Sequence, residues 1–245
     1  MALPVIDTPR YELTLPSEER VIQFRPFLVK EEKILLLALE SGEEKQVKQA
    51  TVDVVKACTF DTVDVENLPV FDLEYIFLQI RSKSVGEVAK FRVLCPDDKQ
   101  TYGDVEVDIS KVNVEVDDTH TNVITIDEKR KLGVVLKYPT LKTVDAGKSL
   151  MDFSYNTIFS IVVNCVDHIF EGDKVYPGKD STPEELQKFF EQLPQGAFDK
   201  IKHFFETMPR LRHETEVKNP KTGKVSKITF NGLADFFESA SPIVP

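Results

Sequence analysis

The sequence predicts an α+β fold in which helical N- and C-terminal parts, the first with a small hairpin, flank a mostly antiparallel, β-rich middle. Three observations support this class. Apolar residues recur at helical spacing near both ends, alternate with polar residues between residues 88 and 138, and alternate again in two short segments near the start. We expect segments 1–86, 87–139 and 140–245, the last able to pack as one unit with the first.

Composition argues against two kinds of partner. The chain has 41 acidic and 31 basic residues and a net charge of -10, which repels nucleic acid and anionic membranes. Its longest apolar run, Ile34 to Leu39, is too short to cross a bilayer. The first ten residues lack a secretory signal, and three widely spaced cysteines suit a reducing cytoplasm. We therefore expect neither nucleic-acid binding nor membrane insertion.

The N-terminal part begins with alternating residues at 11–15 and 20–24, which predict a hairpin closed by a turn at 16–19. A helix should begin near Val29 and end at Gly42, which suits a left-handed C-cap. A second helix should pack on it, with one face formed by Val47, Ala50, Thr51, Val54, Val55 and Cys58. Residues 69–82 carry two opposite apolar arcs, so we expect a central helix sandwiched between layers.

The middle should form about five strands of one small sheet, with an apolar face and an acidic face. The alternation slips by one residue at Ser110-Lys111, which indicates a turn or bulge. Beyond it, residues 158–170 keep a helical stripe, and Thr182 to Glu185 combine a capping box with proline at the first helical position. A further helix at 198–208, a hairpin at 212–230 and a short helix capped by Asn231 should complete the chain.

Two partial motifs resemble a nucleotide site and a zinc site. Gly147-Lys148-Ser149 ends like a phosphate-binding loop, but Lys142 stands where the motif requires its first glycine. Cys95-Pro96 looks like half a zinc knuckle, and the turn from Asn219 to Gly223 has the shape of another. Its ligand positions hold Asn219 and Thr222, and zinc needs about four nitrogen or thiolate ligands. We expect no cofactor and no metal.

No residue pattern indicates catalysis. The four histidines, His120, His168, His203 and His213, form no zinc-protease motif, and no serine-nucleophile elbow is present. Asp104, Glu106 and Asp108 have the same-face spacing of a solvated strand rather than a looped calcium site. Cys58 and Cys165 lie on apolar stripes, as inert packing residues do. We therefore expect no catalytic residues and a protein that is not an enzyme.

Several motifs together resemble a known family. They are Phe24 to Lys33, Leu68 to Phe77 running into Arg81 to Gly86, Leu136 to Pro139, Phe204 to Pro209, and Asn231 to Phe237. Their order is similar to that of T-even-type phage baseplate proteins that build the central hub of the tail baseplate or help to assemble it. The first two motifs are the most specific, and the resemblance covers nearly the whole chain.

The resemblance implies a late, non-enzymatic viral protein that binds other hub and tail proteins. It implies a location in the host cytoplasm during assembly and then in the virion tail baseplate. The leading hypothesis is a structural hub component. One alternative is a hub-assembly chaperone absent from the mature virion, and another, of a different class, is a nucleotide-dependent enzyme using Gly147 to Ser149. The sequence leaves the oligomeric state open.

Two regions are candidates for partner binding. A sheet over residues 88–138 is too small to close into a barrel, so its edges should be free to pair. The tail from Ser239 to Pro245 ends in an apolar, proline-flanked sequence, and Ile243 and Val244 are its candidate partner-binding residues. A frayed tail and an edge protected by acidic residues are the alternatives.

Overall fold

The computed structural model describes residues 7–143, 159 and 161–238 and confirms the predicted α+β class. These residues contain six helices and eleven strands in small antiparallel sheets. They form two compact units, the first made of the chain up to Glu115 and from Arg210 onward, the second of Val116–Pro209. These boundaries differ from those of the three predicted segments, which stay a prediction.

The first unit opens with the predicted elements. Strands β1 (Tyr11–Thr14) and β2 (Val21–Phe24) form an antiparallel hairpin. Helices α1 (Val29–Ser41) and α2 (Glu44–Cys58) follow and pack on each other. Gly42 ends α1 in the left-handed region at φ 66°, and its N–H donates to the carbonyl of Leu39 at 3.2 Å.

Helix α3 (Val70–Val85) is the central helix of the first unit. It packs against α2 and against segments from the C-terminal part of the chain. Both predicted arcs are buried apart from the partly exposed Tyr75. The helix residues under 9% exposed are Phe71, Asp72, Leu73, Ile76, Phe77, Leu78, Gln79, Ile80 and Ser82. The two-faced pattern therefore correctly predicted a helix covered on both sides.

The remaining strands of the first unit correct one prediction. Strands β3 (Val88–Leu94) and β4 (Tyr102–Asp108) form a two-stranded hairpin. Strand β5 (Asn113–Glu115) leaves them and pairs with β10 (Arg210–Lys218), which pairs in turn with β11 (Val225–Asn231). A single sheet over residues 88–138 is therefore wrong.

The cause of this departure lies between β4 and β5. Residues Ile109–Lys111 form a 3₁₀ turn, whose Ser110 N–H donates to the Asp108 carboxylate at 3.2 Å. Lys111 also pairs with Asp108 at 2.7 Å. The turn was predicted at this place, but it ends the first hairpin and directs β5 to a strand far along the chain.

Helix α6 (Gly232–Glu238) ends the described part of the first unit. Its Phe236 is 1% exposed and forms an aromatic cluster with Phe91 and Phe230, whose ring centroids lie 5.0–5.8 Å apart. Because aromatic rings bury much apolar area, this cluster ties the end of the chain to β3 and β11.

The second unit is a four-stranded antiparallel sheet with two helices. Its strands β6 (Val123–Asp127), β7 (Leu132–Leu136), β8 (Val166–Glu171) and β9 (Lys174–Pro177) lie in chain order across the sheet. Helices α4 (Pro183–Glu191) and α5 (Gln195–Thr207) supply much of the core. That core contains Ile124, Val134, Leu136, Ile169, Leu186, Phe190, Ile201 and Phe204.

The start of α4 confirms the predicted capping box. The Thr182 hydroxyl accepts from the Glu185 N–H at 3.2 Å, and the Glu185 carboxylate accepts from the Thr182 N–H at 2.8 Å. Pro183 occupies the first turn. This motif was predictable because all of its groups lie within four consecutive residues.

A helix through Phe170 is wrong, because Val166–Glu171 form strand β8. Its apolar residues fit a helical stripe, but many are β-branched, and β7 offers an edge that pairs with β8. Gly172, at φ 59°, then begins the two-residue turn into β9. A glycine-first turn between alternating segments is a hairpin signal that the helical interpretation overlooked.

Candidate interaction surface

A buried ion pair anchors the start of α1. Arg25 Nη2 lies 2.9 Å from Glu31 Oε1, and the two side chains are 10% and 4% exposed. Arg25 Nη1 donates to the Pro26 carbonyl at 2.9 Å, and the Arg25 N–H donates to the Cys58 carbonyl at 2.9 Å. The first of the two most specific motifs thus joins β2, α1 and the end of α2.

Glu31 also caps α1. Its Oε2 accepts from the N–H of Leu28, the residue before the helix, at 2.7 Å. Burial opposes the charged form, but hydrogen bonds from Arg25 and Leu28 outweigh it, and the pKa of Glu31 is lowered. Glu31 is therefore ionised at neutral pH, and the N-terminus of α1 is held by a charged pair away from water.

The rest of α1 is unusually apolar for an exposed helix. Of its 13 residues, those buried are Glu31, Leu35 and Ala38. Its exposed apolar residues are Val29 (79%), Ile34 (45%), Leu36 (53%), Leu37 (55%) and Leu39 (41%). Contiguous exposed apolar surface on a helix is typical of a binding site for another protein. We call these five side chains, with Lys33 and Glu40 between them, the α1 surface.

The α1 surface was missed from the sequence. From the sequence, the run from Ile34 to Leu39 is excluded as a membrane span and is assigned no binding role. The available signal was that apolar residues surround this helix, a pattern expected only where a helix is covered on all sides.

The second specific motif places carboxylates inside the first unit. Asp72 is fully buried, and it accepts from the N–H of Ser17 at 3.2 Å and from the Ser17 hydroxyl. Desolvation raises the pKa of Asp72, although these bonds oppose the shift. Glu74 Oε1 accepts from the Leu233 N–H at 3.0 Å, at the start of α6. Both carboxylates therefore connect α3 to other segments.

The two knuckle-shaped turns do come together. The Asp97 carboxylate accepts from Asn219 Nδ2 at 2.9 Å and from the Thr222 hydroxyl at 2.7 Å. Cys95 is buried beside them, and burial raises the pKa of its thiol. Hydrogen bonds thus join the turns. No group of three or more His, Cys, Asp or Glu side chains among the described residues is placed to hold a metal ion.

Histidine 120 lies in the second unit with both ring nitrogens engaged. Nδ1 is 3.0 Å from the Thr207 hydroxyl and Nε2 is 3.1 Å from the Tyr138 hydroxyl. Its ring stacks with Tyr138, and burial lowers the pKa of His120. Both ring nitrogens of His120 are therefore satisfied by hydroxyl groups within the second unit.

The second unit also has an open cleft of about 920 Å³ between the β6 side of the sheet and α4. Its lining mixes apolar residues such as Leu132 and Phe189 with both charge signs, including Arg130 and Glu171. Those two form an ion pair at 2.6 Å across its wall. The ion pair compensates these two charges within the wall of the cleft.

The structure also shows the surroundings of several other residues named in the sequence analysis. Asp104 and Glu106 lie exposed on β4, and Glu106 pairs with Lys90 at 3.0 Å. Cys58 and Cys165 are buried, and burial raises the pKa of their thiols to about 11 and about 12. The segment Gly147 to Ser149 and the predicted binding residues Ile243 and Val244 lie outside the described residues.

In the part of the chain that the structure describes, no helix has the length and apolarity to cross a membrane. A family model described as T4 bacteriophage base plate protein matches residues 8–238. No curated protein and no solved structure matches the chain. The family match covers both compact units and all the motifs on which the resemblance depends.

Proposed function

Because this chain belongs to the T4 bacteriophage base plate protein family, we propose that it is a structural component of the baseplate hub. It acts by binding other baseplate proteins and not by catalysis. The family match over residues 8–238 is the observation that carries this proposal. In this role the chain is made in the host cytoplasm and then incorporated into the tail baseplate.

The α1 surface supports a binding role. Its Leu36 and Leu37 are more than half exposed, although burying such side chains is favourable by about 1.5–3 kcal/mol each. The ion pair of Arg25 with Glu31 fixes the helix that presents them. A rigid helix with exposed leucines binds a partner without a large cost in ordering.

The carboxylates that connect segments of the first unit support a role without chemistry. Glu31 is paired with Arg25, Asp72 accepts from Ser17, and Glu74 accepts from Leu233. Each of these groups holds two segments together. Catalytic acids and bases instead converge on a cleft that admits a substrate. A nucleotide titration of the full chain tests this part, and stoichiometric binding would contradict it.

The decisive experiment is quantitative proteomics of purified virions. We expect the chain at a fixed copy number relative to a known tail protein. Abundant protein in infected cells combined with its absence from particles would instead establish the hub-assembly chaperone and overturn the structural proposal. A host lysate from the same infection provides the control that the chain was made.

A further inference from the structure

We infer that α1 binds a second copy of this chain, as an antiparallel pair of α1 helices related by a twofold axis. The inference rests on the proposed binding role of the α1 surface and names its partner. In such a pair the same surface serves both copies, so the residues of one helix must complement those of the reversed helix.

The geometry of α1 provides the required stripe. Val29, Lys33, Leu36 and Glu40 are spaced by four, three and four residues, so they lie along one face. Leu37 lies beside them. This face is opposite the buried Leu35 and Ala38 and is exposed at every position. The stripe therefore runs along the length of the helix with no covering segment among the described residues.

The order of charges along the stripe selects an antiparallel pair. Lys33 lies toward the N-terminal end and Glu40 toward the C-terminal end, with Leu36 and Leu37 between them. If the twofold axis passes beside the Leu36-Leu37 peptide bond, Lys33 faces Glu40 of the partner copy and Glu40 faces Lys33 of the partner copy. The same axis brings the leucines of the two copies together. A parallel pair in register would instead oppose like charges.

Ile34 and Leu39 lie on opposite sides of the helix, between this stripe and the buried face. Each of them is exposed by more than two fifths, and they border the pair while the stripe itself makes its central contacts. An apolar centre bordered by polar and charged side chains is the usual organisation of a protein interface. The complementarity is therefore internal to one helix and requires no second sequence.

Charge-swap variants of the full chain test the inference by sedimentation equilibrium. Lys33→Glu should weaken self-association by about tenfold or more, because it opposes two pairs of glutamates. Glu40→Lys should weaken it similarly by opposing lysines. The double variant Lys33→Glu/Glu40→Lys should restore association to within about threefold of the original chain, since both ion pairs return with reversed sign.

A matched control separates this effect from net charge. Lys224→Glu makes the same change of charge as Lys33→Glu, at an exposed lysine elsewhere in the same unit, and it should leave self-association unchanged. Thermal unfolding of each variant verifies folding, because all three positions are exposed. The inference would be overturned if the original chain stayed monomeric at every concentration. It would also be overturned if the double variant associated no more strongly than the single variants.

Phage complementation distinguishes this failure from failure of the proposed function. If the chain is monomeric but Leu36→Asp still blocks its incorporation into baseplates, the pairing is wrong and α1 binds a different protein. If Leu36→Asp is incorporated at the normal ratio while the original chain is dimeric, the pairing stands and the incorporation surface lies elsewhere.

Discussion

Helices α1 and α3 have the same kind of sequence and opposite surroundings. Both carry apolar residues around most of their circumference. Helix α3 is covered on both sides by α2 and by C-terminal segments, whereas α1 leaves Leu36 and Leu37 more than half exposed. A helix that is apolar all round is stable when it is surrounded. The contrast shows that α3 is surrounded within its own unit, whereas among the described residues α1 stays uncovered, which is the basis of the pairing proposed for it.

The sharpest test of this contrast introduces one carboxylate in each helix. Leu73→Asp or Phe77→Asp on α3 should abolish soluble folding, because both side chains are under 4% exposed. Burying an unpaired carboxylate costs several kcal/mol, comparable with the whole stability of a domain at about 5–15 kcal/mol.

The matched variant on α1 is Leu36→Asp, measured at low protein concentration. It should change the free energy of unfolding by less than about 0.5 kcal/mol, as exposed substitutions do. Near-normal thermal unfolding of the α3 variants would show that α3 is not central. Unfolding of the α1 variant would show that Leu36 is covered.

The next effect concerns the anchor of α1. Arg25→Met should destabilise the chain by about 1–3 kcal/mol, because Glu31 then loses its buried partner and keeps only the exposed Lys30, 3.4 Å away. Chemical denaturation measures the difference. Lys90→Met, which breaks the exposed pair with Glu106, is the control and should leave the denaturation midpoint unchanged. Equal effects of the two variants would mean that the Arg25 pair is not protected from water.

Glu74 on α3 should make stability depend on pH. Desolvation raises its pKa to about 7, with the Leu233 N–H opposing the shift and Asp235 adding to it. The folded chain therefore retains a proton that the unfolded chain releases above its ordinary value of 4.5. The resulting stability is complete below pH 4.5 and is lost as pH rises through about 7, by on the order of 3 kcal/mol.

Urea denaturation between pH 4 and pH 8 measures this dependence. Glu74→Gln keeps an acceptor for the Leu233 N–H but cannot ionise, so the difference between the two proteins isolates the single group. We expect the variant to gain in relative stability as pH rises. A difference that stays constant across this range would contradict the shift.

The smallest effect is expected at the end of α1. Gly42→Ala should destabilise the chain by about 1 kcal/mol, because φ 66° is unfavourable for a residue with a Cβ. Gly196→Ala, in the first turn of α5 and with open space around it, should instead stabilise by up to about 1 kcal/mol. Thermal melts measure the change in stability for each variant. A change of the same sign in both would contradict the left-handed backbone conformation of Gly42.

Local signals predicted most of the helices and the tight hairpins. The capping box at Thr182 and the left-handed cap at Gly42 depend on neighbouring residues, and both are confirmed. The pairing of Leu211 with Val114 joins strands far apart in the chain. No local pattern encodes that pairing. The prediction of one sheet over residues 88–138 therefore wrongly grouped β5 with the strands next to it in the chain.

The candidate site was harder to predict, because exposure is a tertiary property. An apolar run such as Ile34 to Leu39 has the same composition whether it is covered or exposed. The tail residues Ile243 and Val244, selected because they follow the last helical stripe, stay a prediction. Conversely, the buried partners of Arg25 and Glu74 could not be identified until the fold brought Glu31 and Leu233 to them.

The pairing of β5 with β10 also sets an order of events during synthesis. Residues 116–209, the whole second unit, leave the ribosome before β10 does. At about 5–20 residues per second, β5 waits roughly 5–20 s for its partner strand. The second unit can therefore fold while the first is incomplete. The α1 surface is made early, but α3 is not closed over by β10 and α6 until translation is nearly finished.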